Sequence, residues 1–310
     1  MKQIKNMSGG LYLALIMLII TVISCAVISL YGSAGTAADD RSTSVLASFY
    51  PVYITAQNLL AGIDDAAVSN LSDPQTGCLH DYTLTPEDMK QLSVSDIFII
   101  NGGGIEAFLP DVVRSYPSVK IIDAGADLTA PENYPLSDNQ HYWMSLMLYR
   151  EQVQEISNRL KSELTSSEDI EKLTSNTSEY LSKLDSLKNK ADLIKPLLTG
   201  TDVILFHEAY EYIACDYDMN VRYILDLDEE RQVSAGEVAE VIDYITKYNI
   251  PFILVEEIYG KATAETVAKQ TGVDILYLDT ITRENPGDTS DSFIERMTEN
   301  INRLSSFGSR

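Results

Sequence analysis

Apolar and polar positions follow two alternating rhythms along this chain. Short apolar runs at 45–49, 96–101, 119–123, 202–206, 221–225, 251–255 and 274–278 have strand length and end in polar or turn residues. Between them the apolar residues fall at helical spacing. The predicted helices are 51–62, with Pro51 in the first turn, then 86–92, 105–116, 208–217, 234–248, 262–271 and 290–304. Thr85, Pro86 and Asp88 make a strong helix start, and Ser234 with Glu237 forms a capping box. Strands alternating with helices predict mostly parallel sheets covered by helices, an α/β fold. The middle departs from this rhythm. From 143 to 197 no strand is indicated, and Val153, Ile156, Leu160, Leu164, then Leu173, Tyr180, Leu184 and Leu187 recur at helical spacing. Residues 166–169 either divide two helices or cap a turn within one rod. The expected architecture is therefore two similar lobes, 45–145 and 198–310, joined by a long helical connector at 146–197.

The N-terminus has a separate character. Residues 1–6 carry Lys2 and Lys5 and no acid, and 11–24 are almost wholly apolar, the pattern of an export signal. Val22-Ile23-Ser24-Cys25 resembles a bacterial lipoprotein box with Cys25 as the lipidated residue. The apolar run continues to Tyr31, however, so 11–31 is also long enough for an uncleaved membrane anchor. Cleavage near Ala37-Ala38, releasing a secreted protein, is the third reading. All three put the body of the protein outside the cytoplasm. Residues 1–24 are read as signal peptide or anchor and 25–44 as a tether, small and polar from Gly32 onward.

Composition narrows the function. With 45% hydrophobic and 22% charged residues among 310, the chain has ample core for its lobes. The net charge of −23 leaves no basic surface for phosphate, which excludes nucleic acid, whereas it favours solubility and draws cations. Beyond Cys25 only Cys78 and Cys215 remain, so a single disulfide between them stays open, as does a thiolate ligand at Cys78.

There are only three histidines, His80, His141 and His207, and each lies in a polar break beside an apolar segment. In open parallel sheets ligands collect at the carboxyl ends of strands. His207 directly follows the run 202–206, Asp279 follows 274–278, and Glu256 and Glu257 follow 251–255. His80 and His141 belong to the first lobe, His207 and Asp279 to the second, so the economical site lies between lobes. Three neutral imidazoles and one carboxylate suit four-coordinate Zn²⁺. Glu256 could equally partner a nearby amide or cation. A catalytic zinc would keep a position open and need a base. Glu208 and Glu256 are the obvious bases, but no HExxH pair exists, so binding is expected and not catalysis.

These segments resemble, in order, the metal-specific solute-binding proteins of bacterial ABC transporters, the zinc- and manganese-binding type with a rigid helix between lobes. VLASFYPVYITAQNLLAG resembles the family's opening strand and helix, and GCLHDYTLTPEDMKQLSVSDIFIINGGGIEAFL its first ligand segment. SDNQHYWMSL is similar to the second, ILFHEAYEYIACDYDM to the third, and ILVEEIYGKATAETVAKQTGVDILYLDTIT to the last. The likeness covers 45–304. It implies metal ligands His80, His141, His207 and Asp279, with Glu256 an acid near the site that need not touch the metal. Histidine at 207 points to zinc as the transported ligand, while an aspartate at the fourth position keeps manganese open. Two features depart from the family: no histidine-rich loop is present, and the second motif lacks the proline beside its histidine. The implied function is a membrane-anchored, monomeric receptor that hands Zn²⁺ to an ABC permease. The alternatives are a manganese receptor of the same family and a binder of an organic solute or metal chelate.

Overall fold

In a computed structural model of the chain, residues 42–72, 76–77, 79–80, 82–227 and 232–308 are described, with Met17 besides. The proposed lipidation residue Cys25, the apolar run 11–31 apart from Met17, and Cys78 lie outside them. Among the described residues no helix is long and apolar enough to cross a membrane. Residues from Thr43 onward form one compact unit.

Two four-stranded sheets, parallel throughout, organise that unit. The first contains β1 (Thr43–Ala47), β2 (Ala66–Asn70), β3 (Ile97–Ile100) and β4 (Lys120–Asp123) in the order β2-β1-β3-β4. The second contains β5 (Asp202–Leu205), β6 (Asn220–Ile224), β7 (Phe252–Glu256) and β8 (Asp274–Leu278) in the order β6-β5-β7-β8. The topology of one sheet repeats in the other, although the sequence carries no recognisable repeat. In each, the chain reverses direction across the sheet between the first and third strands, which opens a crevice at their carboxyl ends. The central strands β3 and β7 are buried along their whole length, as their unbroken apolar runs require.

Most helices fall where periodicity puts them. They are α1 (Tyr50–Leu59), α2 (Pro86–Val94), α3 (Leu109–Ser115), α4 (Leu146–Glu163), α5 (Ser167–Leu198), α6 (Tyr210–Asp216), α7 (Ala235–Tyr248), α8 (Glu257–Thr271) and α9 (Ser292–Gly308). The expected capping boxes form at Thr85/Asp88 and Ser234/Glu237. Three boundaries differ. The helix expected from 105 starts at Leu109, because residues 102–108 form a loop around the Glu106 carboxylate. The helix expected from 262 starts at Glu257, directly off β7. The connector is two helices: Leu164 leaves helical geometry and the Ser166 hydroxyl accepts from the Asp169 amide to begin α5.

At 32 residues, α5 is about 48 Å long at the helical rise of about 1.5 Å per residue. It packs against α4, against α1 of the first lobe and against α9 of the second. One apolar core accordingly runs through both lobes, holding Leu46 and Ile99 of the first sheet, Leu205 and Leu254 of the second, and Tyr180 and Leu184 of α5. A smaller core fills the far side of the second sheet.

The loop after β3 uses glycine for a stated reason. Gly103 has φ +69°, and a Cβ there would lie 2.8 Å from Gln140 Cγ and closer still to the Tyr142 hydroxyl. Both neighbours flank His141. Gly103→Ala should therefore cost about 1–3 kcal/mol through strain and overpacking, read as a lowered urea midpoint with unchanged slope.

Candidate metal centre

The three histidines, far apart in sequence, converge. The ring of His141 lies 5.2 Å from that of His80 and 5.1 Å from that of His207, centroid to centroid. Each is brought by a different element: His80 by the loop ahead of α2, His141 by the residue capping the 3₁₀ turn Tyr142–Met144, and His207 by the end of β5. His141 and His207 are buried, while the His80 side chain keeps 32% exposure, enough to face an entry route.

A carboxylate joins them. Glu208 Oε1 is 3.6 Å from His80 Nε2 and 3.6 Å from His141 Nδ1. One donor atom each from His80, His141 and Glu208 can be chosen within 4.8 Å of one another, close enough to share an ion. His80 Nε2 is buried with no hydrogen-bond partner. A polar nitrogen left so is costly unless something else occupies it. On the other side of the cluster, Glu256 Oε2 lies 4.0 Å from His207 Nε2, while its Oε1 accepts from the Thr280 hydroxyl at 2.6 Å. His207 lies two residues beyond β5 and Glu256 ends β7, the two strands that flank the crevice of the second sheet.

The central ring is held neutral. Burial, and then the neighbouring His207 and His80 rings, hold His141 well below the ordinary histidine value, so it stays neutral. Its Nδ1 meets Asn139 Oδ1 at 2.8 Å, and Trp143 packs 5.1 Å from its ring. The Ala209 amide approaches His207 Nδ1 at 3.1 Å, and Nε2 faces the Glu256 side.

Asp279 has other partners. Its Oδ1 and Oδ2 each receive a 2.7 Å hydrogen bond from the Arg296 guanidinium, and Oδ1 also takes the Ile281 amide. A bidentate arginine pair of this kind occupies both carboxylate oxygens. The expected fourth ligand is thus engaged by a residue 17 positions on, and Glu208 is the carboxylate drawn to the histidines. Cys215 is a free thiol, its Sγ donating to the Asn133 carbonyl at 3.3 Å.

Support behind His141 comes from a buried carboxylate to which sequence analysis assigned no role. Glu106, fully buried, accepts the Asn101 and Gly102 amides at 2.7 and 3.2 Å. Asn101 then donates to the Gln140 carbonyl at 2.9 Å, next to the histidine. The Asn-Gly-Gly-Gly-Ile-Glu run was the available signal. Burial pushes the Glu106 carboxyl up to about 7, the Ser48 hydroxyl and then the backbone amides restraining the shift. The folded protein therefore holds a proton between the ordinary value of 4.5 and about 7 that the unfolded chain releases. Stability should fall as pH rises through that window and level off above it, by a few kcal/mol at about 1.36 kcal/mol per unit. Glu106→Gln should flatten that decline in urea titrations between pH 4.5 and 8.

Fold and donors together define a class, the two-lobed binding protein for a metal cation. Residues 45–307 match the family described as ZnuA, the periplasmic zinc-uptake complex component A, and the chain belongs to it. Members are solute-binding components of transport and not enzymes. The chain is 25% identical over 319 residues to the high-affinity zinc uptake system protein ZnuA of Bacillus subtilis, covering 97% of each. It is also 25% identical over 231 residues to the manganese-binding lipoprotein MntA of Halalkalibacterium halodurans, covering 72% of this chain and 75% of that one. Its fold resembles Zn(II)-bound AdcA of Streptococcus pneumoniae, with a TM-score of 0.73, 24% identity, and coverage of 87% of this chain and 58% of the other.

Proposed function

We propose that this protein is an extracytoplasmic receptor that captures one Zn²⁺ through His80, His141, His207 and Glu208 and passes it to an ABC-type permease. The observation that carries the reading is the buried, unpartnered His80 Nε2 in reach of His141 and Glu208. Three imidazoles and one carboxylate match the borderline character of zinc and fill a tetrahedral shell, leaving no position open for catalysis. The zinc-uptake relative supports the choice of metal. Glu208 replaces Asp279 as fourth donor because Arg296 engages both Asp279 oxygens. Anchoring through Cys25, a monomeric state, and lobes at 45–145 and 198–310 around the connector 146–197 complete the proposal.

Manganese is the second reading. Glu256, 4.0 Å from His207, would add the oxygen donor that Mn²⁺ prefers, and one relative is a manganese-binding lipoprotein. Elemental analysis of the protein as purified, with zinc–manganese competition by calorimetry, decides between them. One zinc per chain and tighter zinc binding are expected; a metal-free protein indifferent to both ions would overturn the receptor. Glu208→Gln should weaken zinc strongly and Asp279→Asn hardly at all. The reverse ranking would return Asp279 to the site.

A further inference from the structure

Resting on the ligand set just proposed, we infer that Asn139 is a positioning residue that sets the tautomer of His141 and fixes its spacing from Glu208. Asn139 is 1% exposed, and its polar groups are fully engaged. Nδ2 donates to the Glu208 backbone carbonyl at 2.8 Å and to Glu211 Oε2 at 2.9 Å. Both of those partners are acceptors, so the amide cannot be turned over without facing oxygen to oxygen. Oδ1 must therefore face His141, where it meets the backbone amide at 3.1 Å and Nδ1 at 2.8 Å. An oxygen there forces the proton onto Nδ1, which leaves the Nε2 lone pair for a metal. The Asn139 carbonyl is held in turn by the Tyr212 hydroxyl.

The same side chain thus touches both segments that bring donors together. One face orders the imidazole on the segment before α4, and the other grips the main chain of Glu208 just ahead of α6. The role requires an amide: aspartate would offer the imidazole an acceptor but turn a second carboxylate oxygen towards Glu211 and the Glu208 carbonyl. Supporting partners of metal-bound histidines typically contribute about 10–100-fold to affinity.

The test uses the metal-free protein with ¹⁵N-labelled histidine, reading the His141 tautomer from long-range proton–nitrogen correlations, beside zinc affinity from chelator competition. The native protein should show His141 protonated at Nδ1 only. Asn139→Ala should show mixed tautomers and bind zinc about 10–100-fold more weakly. Asn139→Asp should also lose affinity, and adding Glu211→Gln, whose amide can donate to the new carboxylate, should recover most of the loss. This pair keeps the test decisive if the alanine variant folds poorly, since circular dichroism can confirm the fold of each. A native tautomer and native affinity in Asn139→Ala, or no recovery in the double variant, would overturn the inference. If the native protein bound no zinc, the receptor reading would fall, while the tautomer measurement would still decide the role of Asn139.

Discussion

His141→Ala should abolish tight zinc binding, with a loss exceeding the roughly 100-fold upper range typical of a lost supporting hydrogen bond. His141 is the centre of the cluster: its ring is next to both other histidines, its Nδ1 is 3.6 Å from Glu208, and it is fully buried. It is also held neutral, so no proton has to be displaced when the cation arrives. The native protein should gain about 2.7 kcal/mol of stability at zinc concentrations 100 times its Kd. At the same zinc concentration the variant should gain almost none. Thermal melts with and without zinc measure both; an unchanged zinc-dependent shift in the variant would exclude His141 as a ligand.

Trp143→Ala should destabilise the metal-free protein by about 3–5 kcal/mol, the usual cost of emptying a fully buried large aromatic site. Trp143 has no exposed surface, meets Phe49 edge to face at 4.9 Å, and donates from Nε1 to the Thr280 carbonyl at 2.7 Å. It therefore fastens the 3₁₀ turn after His141 to α1's leading residue on one side and to the segment after β8 on the other. Trp143→Phe would keep much of the volume but leave that buried carbonyl unpaired, a loss of about 1–3 kcal/mol. Urea unfolding followed by circular dichroism separates the two, since the chain has a single tryptophan and its fluorescence vanishes in both variants. A cost for alanine no greater than for phenylalanine would show that the cavity closes on its own.

The sequence was most legible where chemistry is scarce and pattern strict. Three histidines beside strand or helix ends were few enough to suggest one site, and strand–helix alternation foretold two parallel sheets. β2 is absent from the strands expected from pattern, because AAVSN, half-exposed on an edge strand, carries little apolar contrast. Asp279 illustrates a different limit. A strand end gives the address of a carboxylate but not its partner, and Arg296 becomes its neighbour only when α9 folds back on β8. Glu208 was visible beside His207, yet successive residues ordinarily diverge. Only the turn between β5 and α6 brings its side chain to His80 and His141. Asn139 lies two residues from His141, and its importance rests on contacts about 70 residues away.

The long helix α5 has a further consequence for how the molecule comes apart. Because it lies against helices of both lobes and contributes to a core common to both sheets, the first half has no apolar interior of its own to retreat to, and the second keeps only the smaller core on the far side of its sheet. Cutting the chain between the sheets would expose the flank of that helix and open one continuous seam of aliphatic and aromatic side chains. Each fragment would then be a sticky half-molecule, prone to aggregate or to recombine with its missing counterpart.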